Sequence, residues 1–182
     1  AFMIEMNTLN DCFYRVRNLY EYILLLDPDE IIFPVVEADR NWTDILGHIN
    51  NYKHFDSISV TNLYFPEKNS PLNPDIPSHH LILQRVQRAE KFSRNGDAIK
   101  SFFNPRRVTV VHNHRPIFCL PVRDCYNCLL KRNISRLNHY RDRVRKQYLN
   151  TTLDSTVWKF KDELIKAVNE TLTKTGFKID MK

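Results

Sequence analysis

Three carboxylates, Asp27, Asp29 and Glu30, follow directly on the apolar run Tyr22 to Leu26, with Pro28 between the two aspartates. Carboxylates are hard oxygen donors, and one or two of them can hold a divalent cation while leaving positions open for substrate phosphates. In extended backbone, residues two apart point the same way, so the Asp-x-Asp spacing predicts that Asp27 and Asp29 face one ion. Proline has no amide hydrogen to donate, which suits a chain leaving a sheet. The competing reading is a solvated turn with an aspartate capping a helix.

His112 and His114 repeat that spacing at the end of a second short apolar segment. Neutral imidazole is a metal ligand, and one of these rings with the aspartates would give a mixed oxygen and nitrogen shell suited to Mn²⁺. Alternatively, one histidine is buried and hydrogen-bonded while the other faces water. Lys100, Arg106 and Arg107 flank the same segment and could hold phosphate oxygens, arginine as a bidentate fork. Glu37, Glu90, Asp97 and Asp124 lie in or near predicted loops, and none is singled out as a catalytic base.

Several elements have to hold these groups. The run Tyr22 to Leu26 is short, apolar and partly β-branched, which predicts a strand buried on both faces, its carboxylates at the rim of an α/β sheet. Leu9, Phe13, Val16 and Tyr20 form a helical stripe over about Glu5 to Asn18, on which Asp11 and Arg15 either pair or reach the nucleotide edge. Asn41 to Asp44 leads into a short helix ending near Asn51. Phe55 to Phe65 alternates Ile58, Val60 and Leu63 with Ser57, Ser59, Thr61 and Asn62, a strand with one polar face. Pro66 to Pro77 carries four prolines and is expected to be a loop. His79 to Arg94 starts strand-like and then turns polar. Lys100 to Asn104 and Val108 to His112 are expected to pair as strands, split by Pro105-Arg106-Arg107. Arg136 to Tyr148 and Ser155 to Thr173 are predicted helices, the first basic, the second amphipathic and stopped by Gly176.

A chain of 182 residues can bury one proper core, so residues 1–182 are expected to form a single α/β domain. With only three glycines there is no glycine-rich phosphate loop, which leaves metal and basic side chains to hold phosphates. The net charge of +6 is concentrated between Lys131 and Lys146, a stretch better suited to a diphosphate or to solvent than to nucleic acid, which is not expected as a partner. No secretory h-region or transmembrane span is visible. The chain opens inside a predicted helix, so it is expected to be a fragment. Four sequons, at Asn41, Asn133, Asn150 and Asn169, point to a secretory lumen. Cys12, Cys119, Cys125 and Cys128 allow two disulfides in three pairings, or free thiols; Cys125-x-x-Cys128 could also begin a zinc knuckle.

Four stretches together resemble one family. Leu26-Asp27-Pro28-Asp29-Glu30-Ile31-Ile32-Phe33-Pro34 is similar to the Asp-x-Asp-Glu segment of glycosyltransferase family 92. Leu9-Asn10-Asp11-Cys12 with Arg15 resembles the helix that precedes it there. Lys100-Ser101-Phe102-Phe103-Asn104-Pro105, followed by Val108 and His114, resembles the family's Lys-Ser-x-x-x-Pro segment leading to a histidine, and His139-Tyr140-Arg141 its His-Tyr-Arg motif. The resemblance implies a partial GT-A fold, a mixed sheet flanked by helices that lacks its N-terminal nucleotide-binding strands. It implies inverting, Mn²⁺-dependent transfer of a hexose, galactose foremost, from UDP-galactose to a glycan acceptor. The alternative is a non-catalytic glycan-binding domain derived from a transferase. By the same resemblance Asp27 contacts ribose or metal, Asp29 is the principal metal ligand and His114 completes the shell. Lys100, His139 and Arg141 then face the diphosphate or the acceptor. The complete protein is expected in the Golgi membrane, type II, with this part in the lumen and the anchor outside this chain.

Overall fold

The computed structural model describes residues 2–66 and 73–177, so residues 67–72 of the expected proline-rich loop lie outside the described residues. In chain order the elements are α1 (Phe2–Val16), β1 (Ile23–Leu24), β2 (Glu30–Pro34), α2 (Trp42–Gly47), β3 (Ser57–Val60) and β4 (Asn62–Tyr64). There follow α3 (Leu81–Gln84), β5 (Gln87–Ala89), β6 (Lys100–Phe103), β7 (Val108–Val111), β8 (Pro116–Cys119), β9 (Asn127–Leu129), β10 (Ser135–His139), β11 (Thr151–Leu153) and α4 (Lys161–Thr175). The class is mixed α/β. The chain divides into two compact units, residues 1–63 with 92–139 and residues 64–91 with 140–182.

The first unit is built on a four-stranded sheet of order β1-β6-β3-β9. β6 runs antiparallel to both β1 and β3, while β9 is parallel to β3. A second sheet, β2-β10-β4, carries the chain segments of the site on its middle and outer strands. Ile32, Ile45, Ile58, Val60, Phe102 and Leu137 form one buried cluster, and Phe13 of α1 packs with Ile23, Phe103, Val108 and Val111 in another. Each such side chain contributes about 1.5–3 kcal/mol by leaving water. The short helix expected after Asn41 is present, but it already begins at Trp42 and ends at Gly47 rather than near Asn51. Asn41 and Asp44 start it with a reciprocal capping box, each side chain accepting from the other's backbone N–H at 3.1 Å.

In the second unit β5 pairs antiparallel with β11, and Arg88 meets Asp154 at 2.8 Å across that ladder. Leu83 is buried, and its carbonyl accepts from the Trp158 indole at 3.0 Å. α4 stops at Gly176, whose φ of 65° is left-handed, as the sequence predicts. Among the described residues no helix is long and apolar enough to cross a membrane.

Four expectations are corrected. β1 is a two-residue strand at a sheet edge with only Ile23 buried, because the chain leaves the ladder after Leu24 and turns at Asp27 to Glu30. The polar side of Ser57, Ser59, Thr61 and Asn62 is buried rather than solvated: Ser57, Ser59 and Asn62 bond within the protein, Ser59 to Ser101 at 2.8 Å for example, while the Thr61 hydroxyl has no partner among the described residues. β6 and β7 do not pair with each other: the turn at Asn104 to Arg107 carries the chain out of the first sheet, and β7 pairs with β8. The predicted basic helix Arg136 to Tyr148 is instead the buried strand β10 followed by a turn, because Arg136 and Asn138 bond each other at 3.0 Å and so tolerate burial. The cysteine alternatives resolve into one disulfide, Cys119 to Cys125, with Cys12 and Cys128 free.

Candidate active site

The carboxylates sit on a tight turn. The Glu30 amide donates to the Asp27 carbonyl at 3.0 Å, and the Glu30 carboxylate accepts from the Asp27 amide at 3.0 Å. Asp at the first position and Pro at the second favour such a turn. Its consequence is that the backbone between Asp27 and Asp29 is not extended, so their side chains do not point the same way.

Each aspartate finds its own partner. Lys100, wholly buried at the start of β6, places its ammonium 3.0 Å from Asp27 and 3.0 Å from Glu30, and also donates to the Asn113 side chain. Three N–H donors thus meet three oxygens, the arrangement a buried ammonium requires. Burial pushes the Asp27 carboxyl up. Lys100, through its hydrogen bond and its charge, then Asn113 and the charge of His114 outweigh this and hold Asp27 below the ordinary carboxylate range. Asp29 instead lies 3.2 Å from Nε2 of His139, at the end of β10. The other ring nitrogen of His139 faces Asn62 at 3.1 Å, and Asn62 in turn donates to Ser93 at 2.8 Å.

The ligand atoms of Asp27, Asp29 and His114 do not all lie within 4.8 Å of one another. The turn at Pro28 is the reason, together with a bond from His114 Nδ1 to the Ile99 carbonyl at 2.8 Å. What the structure does assemble is Asp27, Lys100 and Asn113 on one side and Asp29, His139 and Asn62 on the other, joined by Glu30, which lies 3.0 Å from Lys100 and 3.6 Å from His139 Nδ1. The side chains of Asp27 and Asp29 remain 49% and 45% exposed, and Asp29 Oδ1 has no protein partner among the described residues. Arg141 is exposed and belongs to the second unit. Asn62 was invisible in the sequence because no local spacing links it to His139, 77 residues on. Lys100 left a signal: a charge opening an otherwise apolar strand.

Of the described residues, one group does bring three ligand-type atoms together, Asp56 with Cys119 and Cys125. It is not a metal centre. The two sulfurs are joined to each other, and Asp56 is filled by Arg107, Arg123 and the Tyr126 amide, each at 2.7 Å.

The sequence profile of glycosyltransferase family 92 matches residues 2–177. The chain belongs to glycosyltransferase family 92. No curated protein matches it. As a family 92 glycosyltransferase it acts between a sugar donor and a glycan acceptor, and the profile spans both the Asp27 turn and the Lys100 strand.

Proposed function

We propose that this family 92 chain performs inverting transfer of a hexose, galactose foremost, from UDP-galactose onto a glycan hydroxyl, with Mn²⁺ as cofactor. The observation that supports this reading most directly is the pair of half-exposed carboxylates, Asp27 and Asp29, beside a buried lysine. Their donor chemistry fits a hard divalent ion: oxygen ligands, solvent access, and one Asp29 oxygen left open. Asp29 is the principal ligand in this reading, through the carboxylate oxygen that His139 does not use. A bound cation would neutralise charge on the leaving diphosphate.

The chain's own residues set up the rest. Lys100 fixes Asp27 and Glu30, so the turn is rigid before any ligand arrives. His139, braced by Asn62, orients Asp29 through the 3.2 Å contact. In the transfer, the acceptor oxygen forms a bond to the anomeric carbon while the bond to UDP breaks on the opposite face; the hydroxyl proton passes to a base and UDP leaves.

Compartment follows the same line of support. All four sequon asparagines are exposed, and a disulfide is formed. Both suit the secretory lumen, so a Golgi membrane protein of type II is proposed, this chain facing the lumen. The decisive measurement is UDP release from UDP-galactose with and without Mn²⁺, repeated on Asp29→Ala. Manganese-dependent release that falls about a hundredfold or more in the variant is expected. Absent release with glycan binding retained would instead make the chain a binding domain derived from a transferase.

A further inference from the structure

A cleft of about 680 Å³ opens in the first unit, lined among others by Arg17, Tyr20, Glu21, Lys53, Arg106 and Arg107. It does not belong to the carboxylate site. β1 and β6 pair antiparallel, Ile23 opposite Phe103 and Leu24 opposite Phe102. Tyr22 and Asn104, which line the cleft, flank one end of that pair, while Asp27 and Lys100 flank the other. Four residues of strand separate Lys100 from Asn104, about 13 Å at roughly 3.3 Å each.

Most of the cleft's cations are already engaged. Lys53 pairs with Glu21 at 2.8 Å, Arg107 with Asp56 at 2.7 Å, and Arg17 donates to the Pro105 carbonyl at 2.8 Å. Arg106 differs. Its backbone N–H is pinned to the Asn104 side chain at 3.1 Å, but its guanidinium is exposed and has no partner among the described residues. Across the same cleft Tyr20 presents a ring that is 60% exposed.

We propose that this cleft binds an acidic carbohydrate, Arg106 taking a carboxylate or sulfate group as a fork and Tyr20 lying against a sugar ring. One planar fork and one aromatic face match a single charged sugar. A nucleic-acid strand is the poorer fit, because it needs several open cations to track its phosphates and three of the four here are occupied. The choice of carbohydrate rests on the glycosyltransferase reading; the binding itself requires no turnover.

Calorimetric titration of the intact chain provides the test. Three probes separate the chemistry: an unsulfated chondroitin tetrasaccharide carrying carboxylates only, a sulfated lactose carrying sulfate only, and neutral chitotetraose. At least one acidic probe should bind about tenfold or more tightly than chitotetraose, and Arg106→Ala should remove about that factor. Tyr20→Ala should weaken the same probe, with the circular dichroism of both variants unchanged. Equal affinity for acidic and neutral probes, absence of acidic binding at millimolar concentration, or unchanged binding in Arg106→Ala would overturn the proposal. So would a single-stranded oligonucleotide that binds more tightly than either acidic probe and is released by the same substitution. Acidic binding without UDP release would count against the transferase reading alone, and UDP release without acidic binding against the cleft alone.

Discussion

Two clusters of opposite charge lie in the first unit, and they differ in how completely their carboxylates are filled. Around Asp56, a side chain with no exposure accepts from Arg107, Arg123 and the Tyr126 amide, and no oxygen is left over. Around Lys100 the positions are reversed: the cation is wholly buried and saturated, while the Asp27 and Asp29 side chains stay about half exposed, at 49% and 45%. The first arrangement ties the turn after β6 to the loop before β9 and can do little else. The second holds a turn rigid while leaving acidic oxygens open to a ligand. Buried ion pairs by themselves are weak signs of function; an unfilled oxygen beside one is a stronger sign.

The comparison breaks most readily at Lys100. Its replacement by Met keeps the length of the side chain but leaves Glu30, with a side chain 1% exposed, without its cation. Removing one member of a buried pair costs about 3–5 kcal/mol. Urea titration of Lys100→Met should therefore show a large fall in midpoint, or a chain unfolded in buffer. An unchanged midpoint would mean that the cluster is wet and that Lys100 does not hold the turn.

At Asp56 a smaller loss is expected. Arg107 and Arg123 are each 33% exposed, so once released from Asp56→Asn they can turn to water. Charge-assisted hydrogen bonds of this kind contribute about 1.5–3 kcal/mol, which sets the expected drop. Binding of UDP should be unaffected in this variant, whereas Asp29→Ala should do the reverse, losing transfer with the urea midpoint almost unmoved. If Asp56→Asn weakened UDP binding as much as Asp29→Ala does, the division between a filled and an open cluster would fail.

How much of this was legible in the sequence depends on whether polar residues faced water. α4 was readable because its apolar stripe recurs at helical spacing and Gly176 ends it. The short helix after Asn41 was readable because its starting signal is local, although it ends at Gly47 rather than near Asn51. β10 was not: Ser135, Arg136, Asn138 and His139 are all buried, so the alternation that reveals a strand is absent from its composition. These side chains tolerate burial because Arg136 donates to Asn138, Ser135 donates to the Phe33 carbonyl and His139 faces Asn62, the last two relations spanning 102 and 77 residues that no window of sequence contains. The carboxylates were found but their directions were not. Pro28 between two aspartates suggests a break at the end of an extended strand, whereas Asp-Pro followed by Asp-Glu closes a turn. The same turn sends Asp27 to Lys100 and Asp29 to His139.

The smallest expected effect separates the two clusters by acid. Burial raises the carboxyl of Asp56, but Arg123, the Tyr126 amide and Arg107 outweigh it, so Asp56, like Asp27, titrates below the ordinary carboxylate range. A carboxylate depressed in the folded state binds fewer protons there than in the unfolded chain. Its stabilisation is complete above the unfolded value near pH 4 and is lost as pH falls through the folded one. Both groups thus resist unfolding at neutral pH and surrender that resistance on acidification. Their weights differ, because solvent screens Asp27 at 49% exposure and does not reach Asp56. Urea midpoints measured from pH 6 to pH 2 should fall less steeply in Asp56→Asn than in the unaltered chain. In Asp27→Asn the slope should change only slightly, since an exposed carboxylate loses little when its charge is removed. A larger change of slope in Asp27→Asn than in Asp56→Asn would mean that Asp27 is held as tightly as a structural carboxylate, and it would then have no open oxygen to offer a donor.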